Sequence, residues 1–350
     1  MNHRAIATVS ILAAVVAVVL LAPVFAQAPG AVVRPGSAVA PVRATAPAKS
    51  WSVRTPDGQP DLQGFWTNGS YTPLQRPDNV TKEFYTKEEA LKFEQQFVDN
   101  EENQTTPGTI PDVHYDHTQF GLERSIGGYT SNLRTSLIVD PPNGRLPSLS
   151  AEGQRRAAAR AEARKRAGGP YDAAENLPLG SRCVFMDRVG PPMLSGNYNN
   201  NYQIVQSPGQ VMILTEMLHE ARIVPVDGRA QLSQNIRQWT GSSRGRWEGD
   251  TLVVETTNLN GKYGFQGSSE NMRVIERFTR IDENAIRYQF TIDDPATWTT
   301  PWSAELTLKK TIGPLFEHAC HEGNYGLYNI LAGARAEEKR AEEAAKKGSK

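Results

Sequence analysis

The sequence predicts a mainly β protein: an antiparallel up-and-down β-barrel preceded by an α+β segment. Three observations predict it. From Ser181 onward apolar side chains recur at every second position, as where Ile286, Tyr288, Phe290 and Ile292 alternate with Arg287, Gln289, Thr291 and Asp293. The runs are separated by short turns such as Ser207-Pro208-Gly209, Asp227-Gly228 and Glu248-Gly249-Asp250. No long crossover helix separates them, which argues against a parallel α/β sheet. About eight or nine strands of this kind close most economically into a barrel, because closure removes unpaired edges; a two-sheet sandwich is the alternative. A barrel of that size holds either packed side chains or one small ligand.

In chain order, residues 1–26 read as a secretory signal. They have a basic start at His3 and Arg4, an apolar run from Ile6 to Leu21, then Pro23 and a cleavage site at Val24-Phe25-Ala26. No later segment is apolar enough to cross a bilayer. The mature chain is therefore expected to be periplasmic or secreted, with no membrane span. Residues 27–50, rich in Ala, Pro and Val, read as a disordered linker.

Residues 51–180 form the α+β segment. Pro56–Trp66 is a turn-rich stretch with an aromatic anchor. Thr86-Lys87-Glu88-Glu89 is a capping box that opens a helix with Ala90, Phe93 and Phe97 on one stripe. Thr135–Asp140 reads as a strand, followed by a turn at Pro141–Gly144. Ser150 caps a second helix that Gly168-Gly169-Pro170 ends. The barrel is expected over 181–331, with its first strand at Arg182–Met186 and its last at Leu315–Cys320. Residues 332–350 read as a charged helical tail.

The chain carries 38 basic and 38 acidic residues, a formal net charge of zero. Phosphate binding needs a basic surface, so nucleic acid is excluded as partner and a small molecule is favoured. The sequence leaves the oligomeric state open. Cys183 and Cys320 are the only cysteines. In an exported chain the default is one disulfide joining the start and end of the β-rich region, and a free nucleophilic or metal-binding thiol is the alternative.

Several segments together resemble a large, functionally uncharacterised family of exported proteins of soil and aquatic bacteria. They are Pro56–Trp66, Arg134–Pro142, Asn199–Val205, Arg244–Glu255 and Ala319–Tyr325. The resemblance covers nearly all of the mature chain and implies no particular activity or catalytic residue. At the level of fold, the meander and the Gly245-x-Trp247 pattern before a strand are similar to calycin-type, lipocalin-like barrels. This likeness implies a fold, not a function.

Candidate chemistry concentrates at two places. Phe316–Gly326 packs His318, His321, Glu317, Glu322 and Cys320 into a few residues beside the last predicted strand. His219 lies among Glu216, Glu220 and Arg222. In an acid–base reading, His219 or His321 is the base, Glu216 or Glu322 its partner, and Arg222 an anion stabiliser. The competing reading of Met217–Glu220 is a hairpin tip.

Two His-x-x-His pairs, His114/His117 and His318/His321, are candidate ligands for a divalent metal, against local hydrogen bonding as the alternative. Asn199, Asn200, Asn201 and Tyr202 offer amides and a hydroxyl to a polar ligand, or simple turn chemistry. Trp247, Tyr288 and Tyr325 are candidate ligand-contacting aromatics. Trp239, Trp247, Trp298 and Trp302 read mostly as core or rim packing, with one or two able to stack on a ring-shaped ligand. Arg134, Arg246 and Arg277 are expected to pair with Glu255, Glu270 or Glu276. The common hydrolase, P-loop, zincin, dinucleotide and haem-attachment motifs are absent from the sequence.

The expected function is thus acid–base chemistry, with or without the help of a metal, on a small polar molecule in a barrel pocket. The alternative is non-catalytic binding or carriage of a small, partly apolar ligand in a cavity lined by Ile286, Tyr288, Phe290 and Leu306.

Overall fold

The computed structural model describes residues 51–102 and 132–348, with 187, 197 and 263 excepted. The signal segment, the linker and the pair His114 and His117 fall outside the described residues.

The chain is mainly antiparallel β. Its ten strands are β1 (Gly64–Thr67), β2 (Ile138–Asp140), β3 (Asn201–Ser207), β4 (Gln210–Thr215) and β5 (Ala221–Pro225), then β6 (Ser242–Glu248), β7 (Thr251–Thr257), β8 (Arg273–Arg280), β9 (Ala285–Asp293) and β10 (Trp302–Lys310). They form one sheet in the order β5-β4-β3-β1-β10-β9-β8-β7-β6, with β2 beside β10. Every ladder is antiparallel. The sheet nearly closes into a barrel. At its seam, β5 and β6 meet without a ladder between them. A side-chain carbon at Gly245 of β6 would fall 2.7 Å from Val226 Cγ1 and 2.9 Å from Val224 Cγ1. The glycine is what lets the valines on this side close the gap.

The period-two pattern lands in register. Ile286, Tyr288, Phe290 and Ile292 of β9 and Trp302, Ala304, Leu306 and Leu308 of β10 all face the core and are buried. Such side chains each stabilise the fold by about 1.5–3 kcal/mol. Trp66, Tyr202 and Phe278 join them, so large side chains fill the interior. The cavity that a carrier would need between Ile286, Tyr288, Phe290 and Leu306 is occupied by those residues' own packing.

Three elements differ from the sequence expectation. Arg182–Met186 forms no strand; Cys183 has φ +53°, outside the extended region. Leu315–Cys320 forms no strand either, because β10 already ends at Lys310, where it pairs with β1. The aromatic anchor Gly64–Thr67 is instead a wall strand, with Trp66 opposite Tyr202 on β3 and Lys310 on β10. Four residues are too few to show an alternation.

Helix α1 (Lys87–Glu102) starts on the expected capping box: the Glu89 N–H donates to Thr86 Oγ1 at 3.2 Å and the Thr86 N–H to Glu89 Oε2 at 2.8 Å. Helix α2 (Ala151–Arg166) is capped by Ser150, whose Oγ accepts from the Gly153 N–H at 3.0 Å. Helix α3 (Tyr325–Gly348) begins seven residues before the expected tail at Ala332, with Tyr325 in its first turn. Among the described residues no helix is long and apolar enough to cross a membrane. Between β10 and α3 runs an irregular strap, residues 311–324.

Candidate functional site

The barrel interior holds a buried polar network. Arg222 on β5 reaches across to Glu276 on β8, with Nη2 3.0 Å from Oε1 and Nη1 bonded to Oε2. The Tyr288 hydroxyl donates to the same Glu276 Oε1 at 2.8 Å and accepts from the Met193 N–H at 2.9 Å. Burial pulls the Arg222 guanidinium down, but the charge and hydrogen bonds of Glu276 outweigh it and leave the group raised. Burial, then the Glu276 charge, push the Tyr288 phenol well up. Arg222 is therefore not a free anion stabiliser, because its fork is spent on Glu276. Tyr288 is likewise a core residue rather than a ligand contact.

The open site lies at the barrel end where β3 and β6 start and β4 ends. There a hollow of about 570 Å³ is enclosed by three irregular segments and the strap. Cys183, Val184, Phe185 and Val189 line one side, the β4–β5 tip at Leu218–Glu220 the base, and Arg237–Thr240 another side. The strap closes the fourth with Glu317–Glu322.

A small apolar cluster of Phe185, Val189 and Met217, with Leu218 and Trp239 packed on it, supports the hollow. Phe185 and Trp239 stack with centroids 5.6 Å apart and 17° between planes. A disulfide between Cys183 and Cys320, with Cα atoms 5.6 Å apart, ties the strap to this wall and is itself part of the lining.

The structure thus brings together His219, His318, His321 and Glu322, which came from two distant parts of the sequence. His219 sits on the β4–β5 tip, exposed and with φ +52°, next to Leu218 at φ +57°. Glu216 is buried just behind it but accepts from Asn201 Nδ2 at 2.8 Å, so it is engaged away from His219.

His318 is the ordered imidazole: its Nδ1 accepts a long hydrogen bond, 3.4 Å, from the Leu218 N–H. Acceptance at Nδ1 leaves the neutral ring's proton on Nε2. Tyr198 lies beside it at 6.4 Å between rings, under the Arg188 guanidinium. Burial first, and then the Arg188 charge, hold His318 below its ordinary 6.5, against a smaller opposing pull from Glu216.

The sign follows from that direction. Below about pH 6.5 the unfolded chain takes up a proton that the folded His318 resists, so this residue's contribution to stability falls as pH drops through that window. In an NMR titration the His318 midpoint is expected below 6.5, with the Leu218 amide signal moving at the same pH. A midpoint at or above 6.5 would contradict the half-buried, neutral ring.

The remaining predicted residues lie elsewhere. Asn199 takes φ +53° in a turn, and the Asn200 side chain closes that turn on the Gly196 N–H and carbonyl. The Tyr202 hydroxyl is buried against Asn68, which donates to it at 3.0 Å. Trp247, opposite Leu252 on β7, is half-buried against the main core, and Tyr325 is exposed on α3. None of these lines the hollow. Arg134 pairs with Glu83, and Arg246 and Arg277 both pair with Glu248, in place of the expected partners.

Among the described residues no three of His, Cys, Asp and Glu are grouped to hold a metal ion. Of the aromatic and amide part of the wall, Trp239 is one of the tryptophans the sequence offers for ring stacking, Phe185 lies in the segment expected as a strand, and Gln238 carries no signal because it lies in an aperiodic segment. Glu276 did carry one: it shares the inward set of β8 with Val274 and Phe278.

No known protein family matches the chain, and no curated protein matches it. Among solved structures, a secretary abundant heat soluble (SAHS) protein from Ramazzottius varieornatus matches with 13% sequence identity, over 41% of this chain and 86% of its own, at a TM-score of 0.24. So low a score bears on neither the fold nor the function of this chain.

Proposed function

We propose that the protein is a small-molecule-binding barrel of the cell envelope whose site lies at the barrel mouth, not in the interior. The observation that carries this reading is the hollow itself. Its volume of about 570 Å³ falls within the usual range for ligand pockets, and it joins a stacked aromatic wall to convergent polar groups. Arg237 is already committed to the Leu259 and Glu270 carbonyls and Asn271 Oδ1. Among the described residues Glu220, Glu317 and Glu322 have no ion-pair partner, which favours a flat molecule carrying a positive group. Export is supported by the disulfide and by the apolar N-terminal run.

The test is titration of the purified mature chain with aromatic amines, quaternary ammonium compounds and their neutral isosteres. Trp239→Ala and His318→Ala are expected to weaken binding by about tenfold or more, roughly 1.4 kcal/mol. Arg287→Ala on the barrel wall is expected to leave it unchanged. No binding by any of these compounds would refute the reading.

Acid–base chemistry on the bound molecule is a second reading. It rests on three imidazoles lining one hollow, with His318 fixed as a neutral Nε2–H donor. It requires turnover of a bound compound that His318→Gln abolishes without loss of binding.

A further inference from the structure

Besides the disulfide, the wall of the hollow formed by the strap is held by the close approach of Gly313 to the Phe65 ring, by the Tyr198–His318 ring contact and by a few hydrogen bonds. The strap begins where the Thr311 N–H donates to the Phe65 carbonyl at 2.9 Å, and it ends at α3. From 312 to 323, among the described residues, no backbone group bonds to the barrel; the Cys320 N–H bonds only to the His318 carbonyl in the strap itself.

The side-chain ties are few. The Leu218 N–H donates to His318 Nδ1, and Asn324 Nδ2 donates to the Ser181 carbonyl at 3.0 Å and lies 3.3 Å from Cys183 Sγ. Ile312 and Phe316 are 94% and 73% exposed, so apolar burial does not pin the strap at these points. Beyond the strap, α3 has its own anchor, with Arg335 donating to the Tyr171 and Asp172 carbonyls at 3.1 and 3.0 Å. The strap is thus a span fastened at both ends, with one covalent tie in between.

That tie faces the hollow. Cys183 and Cys320 both belong to the lining, and Cys320 is the more exposed of the two. A thiolate entering the hollow meets the disulfide directly.

We infer that the Cys183–Cys320 disulfide is a redox latch on the binding hollow: a dithiol reductant opens the strap while the barrel stays folded, and an occupant of the hollow shields the latch. Attack of one thiolate on Cys320 Sγ forms a mixed disulfide and releases Cys183 as a thiolate. The reductant's second thiol then displaces Cys320, so two electrons and two protons end on the cysteines and the dithiol leaves as its disulfide. With the covalent tie gone, two or three hydrogen bonds and the contacts of Gly313 with Phe65 and His318 with Tyr198 remain to hold the strap against the conformational freedom it regains. By linkage, an occupant that binds the oxidised hollow more tightly shifts the equilibrium against reduction, and reduction weakens its binding by the same factor.

The latch rests on the reading of this hollow as the binding site, but its test needs no ligand. The mature chain, oxidised or treated with dithiothreitol, is digested briefly with a glutamate-specific protease and the fragments are weighed. In the oxidised protein the disulfide is expected to keep cleavage at Glu317 and Glu322 slow, although both side chains are exposed. After reduction, cleavage at these two sites is expected to rise several-fold, while exposed turn sites of the barrel such as Glu283 are cut equally in both states. Acrylamide quenching that is absent in Trp239→Phe should rise in the same step.

Equal cleavage at Glu317 and Glu322 in both states would overturn the latch. So would loss of the whole barrel on reduction, which would make the bond a staple of the fold. Because the folded protein is reduced in place, the outcome does not depend on whether Cys183→Ser/Cys320→Ser survives folding. A strap that opens on reduction in a protein binding none of the compounds above leaves the latch standing and removes the binding reading. Equal affinity for a bound amine in both redox states removes the latch alone.

Discussion

Glu276→Ala is expected to destabilise the barrel by about 3–5 kcal/mol, because it strands the buried Arg222 charge without a partner. Glu276 is 0% exposed and Arg222 7%. The two guanidinium bonds and the Tyr288 hydroxyl satisfy the carboxylate from both sides, so every member of the group depends on it. Arg222→Met alone should cost a similar amount, now through an unpaired carboxylate. The double variant Arg222→Met/Glu276→Leu should recover most of the loss, since well-packed apolar side chains commonly replace a buried pair at little cost. Urea unfolding of the four proteins gives the coupling directly. A loss of less than about 1 kcal/mol in either single variant would mean that water reaches the pair.

Trp302→Ala is expected to cost about 3–5 kcal/mol, as removal of a large core aromatic does. Its indole is fully buried. It meets Phe290 and Trp298 edge-on at 5.8 and 5.7 Å and stacks on Phe265 at 6.2 Å. For a domain of this size that corresponds to a fall in Tm of about 6–20 °C.

Trp302→Phe should cost much less. Among the described residues Trp302 Nε1 has no hydrogen-bond partner, and phenylalanine keeps most of the ring while removing an unsatisfied N–H. If Trp302→Phe proves as damaging as Trp302→Ala, the indole nitrogen is bonded after all.

The wall strands were legible in the sequence wherever they were long enough to show their period, as β8, β9 and β10 are. Strand β1 was not, because its four residues gain their place from Tyr202 and Lys310 on either side rather than from a pattern of their own. Arg182–Met186 and Leu315–Cys320 have strand-like composition but no ladder partner. What joins them is the disulfide, the one contact between these segments that the sequence did announce.

In the site, the polar density at 317–322 and the His219 tip pointed to the right neighbourhood. Their companion wall, Phe185 and Trp239, became visible only once the chain had brought three irregular segments to one barrel end. Arg222 and Tyr288 were read as site residues because their types fit chemistry. Their register, facing Glu276 inside the barrel, assigned them to the core instead.

The order of the sheet has a consequence that rests on parity. Nine strands lie on the path from β5 to β6 and each neighbour reverses direction, so the two end strands must run the same way. An antiparallel ladder cannot close this ring, whatever residues stand at the seam. Every other joint along the path is zipped by backbone hydrogen bonds, while this one is held by Val224 and Val226 against Gly245 and by the Arg222 tie across the interior. Thermal breathing of the wall therefore concentrates along one line. That line runs from the turn after β5 to the tip before it, and it ends at the hollow that His219 and Trp239 both line. The arithmetic of strand number thus puts the most compliant edge of the barrel at the rim of its proposed site.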